Sequence, residues 1–165
     1  MEVFEAILSR RSVREFTGEP VSQEHLNAIL EAGRWAPSGL NNQPWKFKVV
    51  SSGEMKKELA ECSTCGDIIK TAPLSIAVFL DGGEGYDRTK DVQSIGACIQ
   101  NMLLAAHSLG LGAVWLGEIL NKRVQAEKAL GAPAGCELMA VVCVGHPLDK
   151  KRSSSRKALK DVVLG

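Results

Sequence analysis

Two strand-length runs in this chain, Leu74 to Leu80 and Leu138 to Val144, contain almost no polar residue. A strand turns successive side chains to opposite faces, so a run that is apolar at nearly every position belongs inside a sheet and away from water on both sides. Leu74 to Leu80 is therefore placed at the centre of a sheet, and Cys136 to Gly145 forms the last clear strand. Both runs are too short to span a bilayer. At 165 residues the chain fits one domain over 1–165, with no internal boundary and no repeat.

Around these strands the spacing predicts helices. Val3 to Arg10 puts Val3, Phe4, Ile7 and Leu8 on one face. Ser22 suits the N-cap of a second helix, which carries Leu26, Ile29, Leu30 and Gly33 on one side and is ended by Pro37. Lys46 to Val50 alternates as a strand does. Ser52 is expected to cap a short charged helix through Glu61, after which the cysteine segment and Ile68-Ile69 lead to Pro73. The longest helix is expected from Asp91 to Leu109, with Val92, Ile95, Ile99, Leu103 and Ala106 along one side. A helix this apolar is buried, in the core or in a subunit interface. Asn121 is expected to cap a helix through Leu130.

Composition narrows the partners. The 20 Lys and Arg against 19 Asp and Glu leave a net charge of +1, with no general attraction for nucleic acid or an anionic membrane. Any anion site must be local. Met1-Glu2-Val3-Phe4-Glu5 lacks the basic start of a signal peptide, and the irregularly placed cysteines fit reduced core thiols, so a soluble cytoplasmic protein is expected. Cys62-Ser63-Thr64-Cys65 has the CxxC spacing of a metal or redox pair. No second CxxC accompanies it, His25, His107 and His146 are scattered, and no metal site is expected.

Three segments carry the chemistry. Arg10-Arg11-Ser12-Val13-Arg14 collects three guanidinium groups and a hydroxyl at a helix end, either as a helix C-cap or as a phosphate site. Ala36-Pro37-Ser38-Gly39-Leu40-Asn41-Asn42-Gln43-Pro44-Trp45 holds three carboxamides in a loop stiffened by two prolines, with Pro44 expected to keep Gln43 extended. Those amides either satisfy their own turn or address the alternating donors and acceptors of a flat heterocycle such as an isoalloxazine. Gly110-Leu111-Gly112-Ala113-Val114-Trp115-Leu116-Gly117 reads as a helix cap running into a small-residue strand, with glycines that permit close backbone approach. Asp81-Gly82-Gly83-Glu84-Gly85-Tyr86 lacks the Lys and Ser or Thr of a P-loop and reads as a turn. The tail from Lys150 to Lys160 is basic, serine-rich and expected to be solvated.

In their order along the chain these three segments, with a weaker match at Arg156-Lys157 and Val162-Val163, resemble the nitroreductase family. The resemblance implies an α+β fold, a central mixed β-sheet flanked by helices, and a homodimer with FMN bound at the subunit interface. By position it implies that Arg10, Arg11, Ser12 and Arg14 meet the phosphate and ribityl chain, with Arg156 closing on the phosphate. Pro37, Ser38 and Gly39 would approach the flavin from the other subunit, Asn41 would address the ring, and the backbone at Leu116 and Gly117 would lie by its reactive edge. The implied activity is a ping-pong oxidoreductase: NADH or NADPH passes a hydride to flavin N5, and a nitroaromatic, quinone or similar electron-poor acceptor then takes it. The cofactor carries this chemistry, so no catalytic side chain is expected. The same scaffold would also suit an enone reductase, a dehalogenase, a dehydrogenase or a non-catalytic FMN-storage module. The chain is short for the family, and the Cys62 to Gly66 segment is a candidate for covering the flavin where longer members carry extra helices.

Overall fold

The computed structural model describes residues 1–148 and 153–164. Its strands are β1 (Trp45–Val50), β2 (Leu74–Asp81), β3 (Gly112–Leu116) and β4 (Cys136–Gly145); its helices are α1 (Val3–Ser9), α2 (Gln23–Arg34), α3 (Gly53–Glu61), α4 (Gly66–Thr71), α5 (Arg88–Ser108) and α6 (Arg123–Leu130). The strands form one sheet in the order β1-β2-β4-β3, with every neighbouring pair antiparallel. The parallel component expected of a mixed sheet is confined, among the described residues, to the isolated bridge between Ser12 and Ala113.

Helices cover both faces of this antiparallel sheet, which is why β2 is buried at every position before Asp81. On one face Ile76, Val78, Ala140, Val142 and Ala113 pack against Ile29 of α2 and Ile95, Ile99 and Met102 of α5. On the other, Ala77, Phe79, Leu138, Val141 and Val114 pack against Leu59 of α3, Ile69 of α4 and Ala126 and Leu130 of α6. The register of β2 against β4 shifts between Val78 and Phe79, whose partners are Ala140 and Leu138. The extra residue on β4 is Met139, and it turns Leu138 to the face opposite Ala140, as a bulge must. Close approach completes the layers. A Cβ on Gly33 would lie 2.8 Å from Met102 Cγ, so only glycine lets α2 sit this near α5.

Several local expectations are revised. α1 ends at Ser9 and buries only Ala6, leaving Val3, Phe4, Ile7 and Leu8 exposed. α4 was not expected; six residues are too few to show a helical period. α5 begins at Arg88, capped by Asp87, whose side chain accepts from the Lys90 N–H. Ser22 does cap α2, accepting from the His25 N–H at 3.1 Å, whereas Ser52 precedes α3 without a side-chain cap. Asn121 lies inside a 3-10 turn, Glu118–Lys122, that feeds α6, so it caps nothing. Gln43 has φ 50°, left-handed and not extended. The Ser38 hydroxyl accepts its N–H at 3.0 Å and holds it there.

The register pairs Val49 with Ile76, yet Val49 is 39% exposed on the edge strand while Ile76 is fully buried under α5. Ile76→Ala should therefore cost about 2–5 kcal/mol, and Val49→Ala less than about 1 kcal/mol, in equilibrium urea unfolding. Equal losses would mean that the edge strand is covered as fully as the centre of the sheet.

Candidate functional site

The arginine segment is tied to the sheet at the start of β3. The Val13 N–H donates to the Ala113 carbonyl at 3.0 Å and the Thr17 N–H to the His146 carbonyl at 2.8 Å. Gly112 makes this possible, since a Cβ there would lie 2.6 Å from Val13 Cγ1. Arg11 Nη1 donates to the carbonyls of Leu8 at 2.7 Å and Arg10 at 2.9 Å, the helix-capping use of an arginine. A cap does not account for the rest of the cluster. Neither Arg10 nor Arg11 pairs with a carboxylate among the described residues, and the Nε atom of each is buried without a hydrogen-bond partner. Burial pushes the Arg10 guanidinium below its usual range, and the positive charges of Arg156 and Arg11 push it further. Arg156 is itself exposed, with Nη1 resting on the Ser155 carbonyl at 2.7 Å, and Ser12 and Arg14 are exposed beside the cluster. Guanidinium groups held together without a counter-charge are destabilised until an anion joins them, and their planar forks match phosphate oxygens.

Sequence gave no reason to place His107 here. Its Nε2 lies 2.7 Å from the Ser9 hydroxyl, 98 residues away, and that hydroxyl donates to the Glu5 carbonyl at 2.6 Å. With its one proton so used, the hydroxyl accepts from His107, which fixes the imidazole proton on Nε2. Burial lowers the His107 pKa, and Arg10 and Arg11 lower it further, so a neutral imidazole flanks the cluster. A contact across such a separation leaves no local pattern.

The polar loop sits elsewhere. Leu40 and Asn41 have φ 55° and Gln43 φ 50°, a left-handed region that asparagine tolerates but that Leu40 and Gln43 adopt only when the surroundings hold them there. Here the enforcement is visible. Asn42 Nδ2 donates to Asp91 Oδ1 at 2.7 Å and to the Glu84 carbonyl at 3.0 Å, and Gln43 Nε2 donates to the Asn41 carbonyl at 3.2 Å. Two of the three carboxamides thus serve the turn itself, while the exposed Asn41 amide makes no hydrogen bond among the described residues. Pro37, Ser38 and Gly39 line a cleft of about 330 Å³ with Tyr86, Lys90, Gln93, Ser94 and Ala97. Gly39 is packed so tightly that a Cβ would fall 2.0 Å from the Tyr86 hydroxyl. This cleft meets α5 ten or more residues before His107, roughly 15 Å along the helix. One chain therefore does not bring Pro37, Ser38, Gly39 and Asn41 to Arg10 and Arg156.

β3 joins the two regions. Ala113 turns its carbonyl outward to Val13, so ladder alternation turns Trp115 outward too and points the backbone of Leu116 into β4, opposite Val141. Gly117, exposed and just past the ladder, carries the first backbone N–H beyond the paired strand. The Trp115 ring lies near Gly96 of α5, with a Cβ built on that glycine 4.0 Å from the ring edge. The five cysteines are unpaired, and no cluster of three or more metal-ligating side chains occurs among the described residues. Burial raises the Cys62 thiol and pushes Cys98 up to about 12, which makes both poor nucleophiles. Lys150, Lys151 and Arg152 of the basic tail lie outside the described residues.

Residues 7–66 and 60–146 match the nitroreductase family. The chain belongs to that family. Among its nitroreductase-family relatives, an Archaeoglobus fulgidus protein provisionally named an NADH dehydrogenase/NAD(P)H nitroreductase is 38% identical over 153 residues, 91% of this chain and 88% of its own. The NADPH-flavin oxidoreductase of Vibrio harveyi is 32% identical over 155 residues, which cover 87% of this chain and 65% of the relative. A Desulfovibrio desulfuricans protein provisionally named a nitroreductase and crystallised with FMN superposes with a TM-score of 0.95 at 47% identity, over 100% of this chain and 96% of that one. No described helix is long and apolar enough to cross a membrane.

The strained loop depends on a buried carboxylate. Burial pushes the Asp91 carboxyl up, but hydrogen bonds from Asn42 and from the Tyr86 and Asp87 N–H groups outweigh it and leave it below the ordinary aspartate value of 3.8. A depressed pKa adds stability above the unfolded value and loses it as pH falls through the folded one. Asp91→Asn should therefore melt below the wild type at pH 7, with the gap narrowing through pH 4 and below. A gap independent of pH would show that the charge of Asp91 does not hold the loop.

Proposed function

We propose that this protein is an FMN-dependent NAD(P)H oxidoreductase that reduces nitroaromatics, quinones or similar electron-poor acceptors. The observation that carries the reading is the cluster of Arg10, Arg11 and Arg156, in which the Nε atoms of Arg10 and Arg11 are buried without a partner and the like charges of Arg11 and Arg156 face Arg10, an arrangement that fits a phosphate. In this reading Arg10, Arg11 and Arg156 hold the phosphate, with Ser12 and Arg14 along the ribityl chain. Gly117, and Leu116 before it, line the ring's reactive edge at the end of β3. When bound, FMN supplies the hydride exchange at N5, between the nicotinamide donor and the acceptor in turn.

The second wall comes from a second subunit. In this reading Pro37, Ser38, Gly39 and Asn41, which meet α5 roughly 15 Å from His107, complete the flavin site of a partner in a homodimer. The exposed apolar residues Val3, Phe4, Ile7 and Leu8 of α1, with Leu159, Val162 and Val163 of the tail, supply surface that such an interface would cover. Unpaired thiols suit a cytoplasmic enzyme. The residues' task is to bind, orient and exclude water, and none is required to donate a proton.

The purified protein should show a flavin spectrum that bleaches on anaerobic addition of NADH. Arg10→Ala and Arg156→Ala should each weaken FMN binding roughly 10- to 100-fold, as loss of a charged hydrogen bond implies, with melting temperatures near wild type. Unchanged FMN affinity in both variants would remove the phosphate assignment, and a chain that binds no FMN would overturn the function.

A further inference from the structure

Gly117 hangs between two supports. On its N-terminal side Leu116 is held in the ladder opposite Val141. On its C-terminal side stands Glu118, whose carboxylate reaches across to the loop between α3 and α4: Ser63 Oγ donates to Oε2 at 2.6 Å and the Thr64 N–H donates to Oε1 at 3.0 Å. That loop is a firm anchor. The Cys65 N–H donates back to Ser63 Oγ at 2.9 Å, the Gly66 N–H donates to the Ser63 carbonyl at 3.2 Å, and a Cβ on Gly66 would fall 2.3 Å from the Ala60 carbonyl oxygen. Cys62 and Ile69 sink into the same core as Ile119, one residue beyond the carboxylate.

We infer that Glu118 is a positioning residue, clamping the turn after β3 to the Cys62–Gly66 loop so that the Gly117 N–H is held in a fixed direction at the reactive edge of the cofactor. The inference rests on the flavin reading and adds to it a task for the CxxC segment. The segment's contribution comes from Ser63 and Thr64, between the cysteines, while the Cys62 thiol is occupied with the Glu58 carbonyl at 3.3 Å. The hydrogen bonds from Ser63 and Thr64 hold the Glu118 carboxyl below its ordinary range, so it is ionised at neutral pH and accepts at both oxygens. A backbone donor aimed at a reacting atom acts through its direction, and a small misplacement costs rate more than affinity.

The test compares wild type with Glu118→Ala, Glu118→Gln and Ser63→Ala. In the apo protein, the Gly117 amide resonance should shift and broaden in Glu118→Ala. In the FMN-loaded protein, anaerobic mixing with NADH should show flavin bleaching slowed by about 10- to 100-fold in Glu118→Ala, with FMN affinity within about threefold of wild type. Ser63→Ala should show a smaller loss in the same direction, and Glu118→Gln, which keeps an acceptor for Thr64, should recover part of the rate. An unchanged flavin midpoint potential, bleaching rate and Gly117 resonance in Glu118→Ala would overturn the inference, whatever happens to its melting temperature. Should that variant fail to fold, wild-type bleaching rates in both Ser63→Ala and Glu118→Gln would overturn it equally. Wild-type protein that binds no FMN would instead overturn the functional reading itself.

Discussion

Because β2 and β4 have no polar face, the molecule depends on keeping water from both sides of its sheet. Side chains such as Ile76, Phe79, Leu138 and Val142 are almost wholly removed from solvent, each contributing on the order of 1.5–3 kcal/mol. Helices must therefore lie on both faces: α2 and α5 on one, α3, α4 and α6 on the other. Every functional element is a consequence of that enclosure. β3, on the edge of the sheet, meets the arginine segment at Ala113 and ends at Leu116, just before Gly117. α5 runs beneath the polar loop at one end and carries His107 to the arginines at the other.

Where charge is wholly or partly buried, its partners decide what it does. Asp91 is surrounded by donors and locks a turn. Glu118 accepts from Ser63 and Thr64 and ties a loop to the end of β3. Arg10 is the opposite case: it is partly buried among like charges with an unpartnered Nε. A folded chain tolerates that arrangement at a cost, and a cost of this kind points to a ligand that removes it. The carboxylates maintain the scaffold, whereas Arg10 and Arg11 each keep a buried Nε without a partner.

The strained loop follows similar logic at the backbone level. Leu40, Asn41 and Gln43 are held left-handed by Ser38, Asn42 and the packing of Gly39 on Tyr86. The sequence predicts a loop stiffened by its two prolines, whereas the contacts that hold its conformation come from Ser38, Asn42 and Asp91. Pro44 constrains the residue before it only statistically, and Gln43 took the left-handed region because a hydroxyl five residues earlier binds its N–H.

The sequence by itself determined the elements whose pattern is local and strong. These are the two all-apolar strands, α2 with its Ser22 cap, the long α5, and the three segments from which the family was recognised. Pattern of that kind is legible because side-chain periodicity follows directly from backbone geometry. Other features were decided only by the tertiary structure: that the apolar face of α1 points outward, that β4 bulges at Met139, that Asn121 caps nothing, and that the Pro37–Asn41 loop stands apart from the arginines of its own chain. So were the contacts of His107 with Ser9 and of Glu118 with Ser63, which join residues 98 and 55 positions apart. Such pairings are fixed by how layers pack and which strands lie side by side, and no stretch of sequence short enough to carry a period contains both partners.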